Sequence, residues 1–242
     1  MAYNIGFSNF ISYALLDWKT PNIQPMIFDI LEKMDPSESE PTEIATDNEG
    51  RPLPIIMHKW LAGIIPSNAL LKSVNDYLEH LDKKKYFRSN RQKNLIKRTF
   101  EVMFNPAMLA NCTHPIMAGI QLLEECYNAT NKDGTPKNTL LVLSNWDDVS
   151  FNLLKQRHSS IFNKYFESKH VVISGAIGLI KPRKEAFEYV IKTYDLDSKD
   201  CIFIDDQYDN ILAAQAVGIT ALLLCKNNYK ALRQILIKIN AL

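Results

Sequence analysis

Two residue types that often carry metal chemistry are scarce here and badly spaced for it. The four cysteines, Cys112, Cys126, Cys201 and Cys225, contain no CxxC pair, and the five histidines form neither HxxxH nor HExxH. A zinc site of the usual kind is therefore not expected. Cys201 and Cys225 fall inside apolar runs and read as small buried hydrophobes, in keeping with a reducing compartment. Long hydrophobic runs are also missing, since no stretch approaches the roughly 18 apolar residues of a membrane span. The opening "MAYNIGFSNF" has no basic region leading into an apolar one, so no signal peptide is expected. Neither sign of charge dominates: the net charge is +1, and nucleic acid is not expected as a partner. The densest basic stretch, from Lys83-Lys84-Lys85 to Lys97-Arg98, has few interleaved aromatics and reads as a solvated helix face before a docking surface. The expectation is a cytoplasmic protein without a membrane partner. Its oligomeric state stays open.

What is present is enough apolar material for a core, 46% of 242 residues, in two halves of different texture. Residues 8 to about 105 carry helical periodicity and almost no strand signal, within a cap-like region 1–110. Phe10, Ala14, Leu15 and Trp18 fall at helix spacing, as do Ile27, Ile30, Leu31 and Met34. The polar, proline-bearing stretch 34–52 reads as a loop. Helices are expected again at "IIMHKWLAGI", at "NALLKSVNDYLEHL" with Ser67 or Asn68 as cap, and at "NLIKRTFEVMF". From residue 111 to 242 short apolar runs alternate with amphipathic stretches. Strands are expected at "TLLVLSN", "HVVIS", "CIFID" and "TALLLC", with helices between them and a last helix from Tyr229. That alternation predicts an α/β fold with a parallel sheet, whose ligand sits at the carboxyl ends of the strands.

Those ends collect polar residues. Ser144 closes "LLVLSN", where its hydroxyl could grip an anion or merely cap the next helix. Lys181 stands in "GLIKPRKEAF" just before an expected helix, as a functional cation or simply an exposed one. Asp205 and Asp206 are adjacent carboxylates at a strand tip, and a partly desolvated pair needs a cation or donors to stay ionised. Because successive strand residues point to opposite sides, one should face a ligand while the other braces the loop. The bland alternative for the pair is an acidic turn before the helix at 209–217.

Taken together, "LLVLSNWD", "SGAIGLIKPRKEAFEYVI" and "CIFIDDQYDNILAAQAVGI" resemble the second, third and fourth motifs of the haloacid dehalogenase (HAD) superfamily. A phosphate-receiver domain places its acidic pair before its hydroxyl residue and lysine, the reverse of the order here. The resemblance implies a Rossmann-like core over 111–242 and a helical cap inserted within 1–110 that closes over the site. It implies that Ser144 and Asn145 bind a transferred phosphoryl group and that Lys181 neutralises charge in catalysis. It further implies that Asp206, supported by Asp205 and Asn210, ligates Mg²⁺, with a small phosphorylated molecule as ligand. Adjacent aspartates suit a metal-dependent phosphatase better than a dehalogenase.

The first motif of that superfamily, a central strand ending in DxDx(T/V), has no match. "NIGFSNFIS" places Ser8 and Phe10 where its two aspartates would stand, and "MIFDILEKM" offers Asp29 but Leu31. A third reading starts the chain just after that strand. The functional expectation is an HAD-like, Mg²⁺-dependent phosphatase type whose turnover is impaired and whose metal binding is weak. The alternative is a catalytically dead HAD-like protein that binds a phosphorylated ligand or a protein partner.

Overall fold

Helical periodicity in the first half is realised as a layer of helices with its own apolar interior. The computed structural model describes residues 23–35, 45 and 52–242, so the expected helix at Phe10–Trp18 and the positions Ser8 and Phe10 lie outside the described residues. The layer comprises α1 (Ile23–Met34), α2 (Ile55–Leu61), α3 (Ser67–Lys83), α4 (Asn90–Phe104) and α5 (Pro106–Cys112). In α3, Leu70, Val74, Leu78 and Leu81 recur at helical spacing and all are buried, which fixes its inward face. Trp60 of α2 meets Phe104 of α4 edge to face, with ring centroids 5.1 Å apart. Both rings are fully buried.

Caps explain where the helices start. Pro66, not Ser67 or Asn68, occupies the N-cap of α3, because Ser67 is already helical and spends its hydroxyl elsewhere. Helix α4 begins at Asn90, four residues before the expected stretch. Its N-cap Ser89 accepts from the Gln92 amide, and the Gln92 side chain accepts from the Arg88 amide. This serine–glutamine exchange is a capping box shifted by one residue, and it satisfies donors that the first turn leaves open.

Among the described residues, strands begin only after α6 (Met117–Asn128). They are β1 (Val142–Ser144), β2 (Val171–Ile173), β3 (Ile202–Asp205) and β4 (Thr220–Leu223). Helices α7 (Asp148–Arg157) and α8 (Ser159–Tyr165) lie between β1 and β2, and α11 (Tyr208–Ala216) joins β3 to β4. The short α9 (Ser174–Ile177) and α10 (Lys184–Thr193) separate β2 from β3, and α12 (Tyr229–Lys238) ends the order. The class is α/β with parallel pairing, as expected. The sheet is not continuous among the described residues: β1 pairs with β2 and β3 with β4, all parallel. The strands are also shorter than their apolar runs, because pairing ends where each partner ends.

The layers meet closely. Ala110 of α5 joins the apolar cluster of Val142, Phe151 and Ile173, so α5 straddles the expected boundary at residue 110. No helix among the described residues is long and apolar enough to cross a membrane. The tightest approach is between Gly63, just after α2, and Gly175 in α9. A Cβ on Gly63 would lie 2.3 Å from the Gly175 carbonyl oxygen, and one on Gly175 would lie 2.5 Å from the Asp148 amide. Gly63 and Gly134 share a left-handed backbone, with φ of +72° and +83°, but nothing lies within 4 Å of a Cβ at Gly134. Alanine at either position meets the same backbone strain, and only at Gly63 does it also collide with a neighbour. Gly63→Ala should therefore cost about 1–3 kcal/mol more stability than Gly134→Ala in urea denaturation. Equal losses would mean that the two layers do not touch at this point.

Candidate functional site

The parallel pairs present Ser144, Asn145, Asp205 and Asp206 at their carboxyl ends, and one lysine reaches across. Lys181 Nζ donates to Asp205 Oδ2 at 2.6 Å, with side-chain exposures of 6% and 4%. The ammonium also lies 5.1 Å from the ring centre of Phe203 on β3. Asp205 is bonded on its other oxygen too. Its Oδ1 accepts from the Gln207 amide at 2.9 Å and from Asn210 Nδ2 at 3.0 Å. Burial alone would raise the Asp205 pKa, but the Lys181 charge and the hydrogen bonds from Lys181, Asn210 and Gln207 together hold it below 3.8. Asp205 is the brace that strand alternation calls for.

Asp206 has different surroundings. It is half-buried, and its negative charge helps to raise the pKa of Tyr229, although burial is the larger cause. Tyr229 packs beside Gly119 of α6, away from the lysine pair. The two neighbouring carboxylates thus serve different environments. Asn210, expected in support, bonds Asp205 and Gln207 through Nδ2 and leaves its buried Oδ1 without a partner.

Asn145 holds Lys181 in place. Its Nδ2 donates to the Lys181 carbonyl at 2.7 Å, and its Oδ1 accepts from the Lys181 amide at 2.8 Å. One side chain thereby grips both polar groups of a single backbone residue, which fixes the base of the lysine. The expected helix after Lys181 starts later than the proline suggested. Residues 181–183 form a turn and α10 begins at Lys184. Lys181 itself is buried at the site, so the exposed-cation reading does not hold.

Ser144 ends β1, half-buried, with a hydroxyl that makes no hydrogen bond to the described residues. The bland role of helix cap belongs to Asp147, whose Oδ1 accepts from the Ser150 amide at 3.0 Å. Asp147 was not anticipated as more than part of a motif. It is buried, and the same oxygen accepts from Ser67 Oγ at 3.1 Å, while Ser67 accepts from Trp60 Nε1 at 2.9 Å. Beside it, the Trp146 amide donates to Ser174 Oγ at 2.9 Å, and that hydroxyl donates to the Leu61 carbonyl at 2.6 Å. The loop 145–147 is therefore held from the helical layer on one side and holds Lys181 on the other. Asp-before-helix was a readable capping signal in "NWDDVSF"; the partners 80 residues away were not.

Asp29, the alternative nucleophile position, sits on α1 far along another route. It pairs with Lys33 at 2.7 Å and accepts from Tyr86 Oη at 2.8 Å. The chain's only Asp-x-Asp triplet, Asp195-Leu196-Asp197, lies before β3, at the end opposite Asp205. Among the described residues no group of three His, Cys, Asp or Glu side chains gathers to hold a metal. Asp205 is already committed to three donors.

Removing one partner of a buried ion pair leaves an uncompensated charge. Lys181→Met and Asp205→Asn should each cost about 3–5 kcal/mol in urea denaturation at pH 7, and the double variant should lose clearly less than the sum. Because folding lowers the Asp205 pKa, its contribution is complete above 3.8 and disappears as pH falls through the lower folded value. The wild type should lose stability over that acidic range more steeply than the double variant. Additive losses, or identical acid profiles, would contradict the pairing.

Parts of the chain are similar to known proteins. Residues 179–235 match a HAD-hydrolase-like family model, a span that includes Lys181, Asp205, Asp206 and Asn210. The chain is 33% identical over 83 residues to the sesquiterpene phosphatase astK of Aspergillus oryzae (strain ATCC 42149 / RIB 40), covering 34% of this chain and 39% of that protein. It is 32% identical over 88 residues to the drimenol cyclase drtB of Aspergillus calidoustus, covering 36% of this chain and 16% of that one. The matches thus take in well under half the length of these relatives. Among solved structures, a HAD family enzyme of Bacteroides thetaiotaomicron in complex with magnesium and inorganic phosphate aligns at a TM-score of 0.44 and 18% identity, over 68% of this chain and 72% of that one. Over residues 179–235 this chain is similar to the HAD-hydrolase-like family.

Proposed function

We propose that this protein binds the phosphoryl group of a small phosphorylated molecule at the tips of β1 and β3, as an HAD-type phosphatase does, and turns it over slowly. The observation that carries the proposal is the buried Lys181–Asp205 pair, 2.6 Å long, whose lysine backbone is gripped by Asn145, the residue after Ser144. A hydroxyl and loop amides at a strand end suit phosphate oxygens. The lysine would offset charge on the phosphoryl group. Asn145 acts by fixing the Lys181 backbone. Mg²⁺, which the resemblance implies, would meet Asp206 and the ligand's own oxygens and bind weakly.

Slow turnover is part of the proposal because the 242 residues contain no match to DxDx(T/V). The family reaction passes through an aspartyl phosphate and uses a second aspartate as acid and base. Acid–base help alone is typically worth about 10²–10⁴-fold. The commitment of Asp205 to Lys181 favours the second reading as well, a protein that binds a phosphorylated ligand without chemistry. The name of the astK relative makes a terpenoid phosphate one substrate class for this reading. The helical layer would act as the cap, and a cytoplasmic location is part of the same proposal.

Two measurements separate these readings. In calorimetric titration with orthophosphate, Lys181→Met should weaken binding about tenfold or more, whereas Lys184→Met, on the exposed start of α10, should change it less than twofold. Equal effects would mean a diffuse basic surface and no site. Hydrolysis of 4-nitrophenyl phosphate with Mg²⁺ should be barely above background, and it should fall further in Ser144→Ala. Fast hydrolysis that depends on Asp29 would show that the nucleophile lies elsewhere.

A further inference from the structure

The chain concentrates positive charge in one place. Residues 83–98 hold eight Lys or Arg and no Asp or Glu, in a chain whose net charge is only +1, so the remainder is acidic overall. Lys93 and Arg98 are matched by Asp82 and Glu101. Lys83, Lys84, Lys85 and Arg88 are exposed and make no ion pair with the described residues. All four lie in or beside the short turn that joins the packed helices α3 and α4, so the fold as well as the sequence crowds them together. Like charges this close repel, and nothing in the stability of the helices calls for them.

The backbone gives a second sign. Helix α3 closes with the Lys85 amide donating to the Asp82 carbonyl at 2.9 Å and the Tyr86 amide donating to the Leu81 carbonyl at 3.0 Å. This pair of bonds puts the residue after the helix in left-handed backbone, a position that glycine usually fills. Here the residue is Lys85, at φ +56°, so the centre of the charged turn carries backbone strain. The rest of the turn is well tied. Tyr86 Oη donates to Asp29 Oδ2 at 2.8 Å, its ring meets Phe87 edge to face at 5.4 Å, and the Arg88 amide donates to Gln92 Oε1 at 2.8 Å.

We propose that this turn docks the protein on an anionic lipid surface. About four clustered Lys or Arg are enough to hold anionic headgroups by charge, with no apolar anchor. None is present: between Ile64 and Met117 no large hydrophobic side chain is exposed among the described residues. Protein interfaces depend on such anchors and are poor in lysine. Single-stranded nucleic acid needs open rings for stacking, and Tyr86 and Phe87 are half-buried and occupied with each other. The sequence alone gives no reason to expect a membrane partner; the unmatched charges and the left-handed lysine supply one. Because no helix among the described residues is long and apolar enough to cross a membrane, the proposed contact is peripheral. Helix α3 is 17 residues long, about 25 Å, and starts at Ser67, which bonds Asp147 at 3.1 Å. The turn at its other end is therefore remote from Lys181, and the proposal stands apart from the phosphoryl-binding reading.

Vesicle co-sedimentation of the full chain tests this, with pure phosphatidylcholine set against phosphatidylcholine holding about one-third phosphatidylserine. The wild type should bind the anionic vesicles about tenfold or more tightly than the neutral ones, and raising the salt from about 0.05 to 0.5 M should remove most of the difference. Lys83→Gln with Lys84→Gln and Arg88→Gln should weaken binding about tenfold or more. The same number of exposed charges removed from the α/β half, by Lys192→Gln with Lys199→Gln and Lys230→Gln, should change it less than about twofold. Lys85→Gly should weaken binding a few-fold while raising the melting temperature, since it removes a charge and relieves the left-handed strain together. Equal losses from the two triple variants, or a wild type indifferent to phosphatidylserine, overturn the docking turn. Binding to polyglutamate or to a DNA duplex in place of vesicles would assign the turn to an acidic macromolecule and overturn it too. Lys181→Met should leave vesicle binding unchanged, and a loss there would move the contact to the phosphoryl site.

Discussion

The buried ion pair between Lys181 and Asp205 is the contact on which the site depends, because it spans a break in the sheet. Among the described residues β1–β2 and β3–β4 are separate parallel pairs, and backbone hydrogen bonds do not join them. The joining is done by side chains: Asn145 at the end of β1 grips the Lys181 backbone, and Lys181 grips Asp205 at the end of β3. Two charges taken out of water are costly unless geometry and extra hydrogen bonds repay them. Here Gln207 and Asn210 supply donors to the second carboxylate oxygen, and Phe203 faces the ammonium. The pair is thus a structural bolt, and in the proposed function it is also the charge around which a ligand would be placed.

The helical layer contributes to the same arrangement. Ser67 and Leu61 hold Asp147 and Ser174, and these in turn fix the loop that carries Asn145. Glycines at 63 and 175 allow the backbones to come this close. The resemblance implies a cap that closes over the site. In this protein one edge of the helical layer is fastened by buried polar contacts, so any closing motion has to pivot about that edge.

Much of this was readable in the sequence, for a physical reason. Polar residues that terminate apolar runs stand out because strands buried on both faces tolerate few of them, and this marked Ser144, Asn145, Asp205 and Asp206. Alternation along β3 also separated the two aspartates into brace and neighbour before their contacts were known. What could not be read were the long-range partners. Nothing in "LSNWD" says that Asn145 would bond a backbone 36 residues on, or Asp147 a serine 80 residues earlier. Strand lengths were overestimated because apolar runs report burial, while pairing needs a neighbour of matching extent. The capping box at Ser89 and Gln92 was written in the sequence and was overlooked. The residues flanking Lys181 misled in the other direction, since a proline after the lysine suggested a helix start that falls at Lys184.

The central claim is that the Lys181–Asp205 pair and the end of β1 together form one phosphate-binding locus. Backbone amide shifts during an orthophosphate titration, followed by ¹H–¹⁵N correlation spectra of the isotope-labelled chain, test it most directly. The account predicts saturable shifts at Ser144, Asn145, Trp146, Lys181 and Gln207, with one dissociation constant shared by both sides of the sheet break. Saturable shifts confined to the basic face of α3 and α4, with those five amides unmoved, would contradict it.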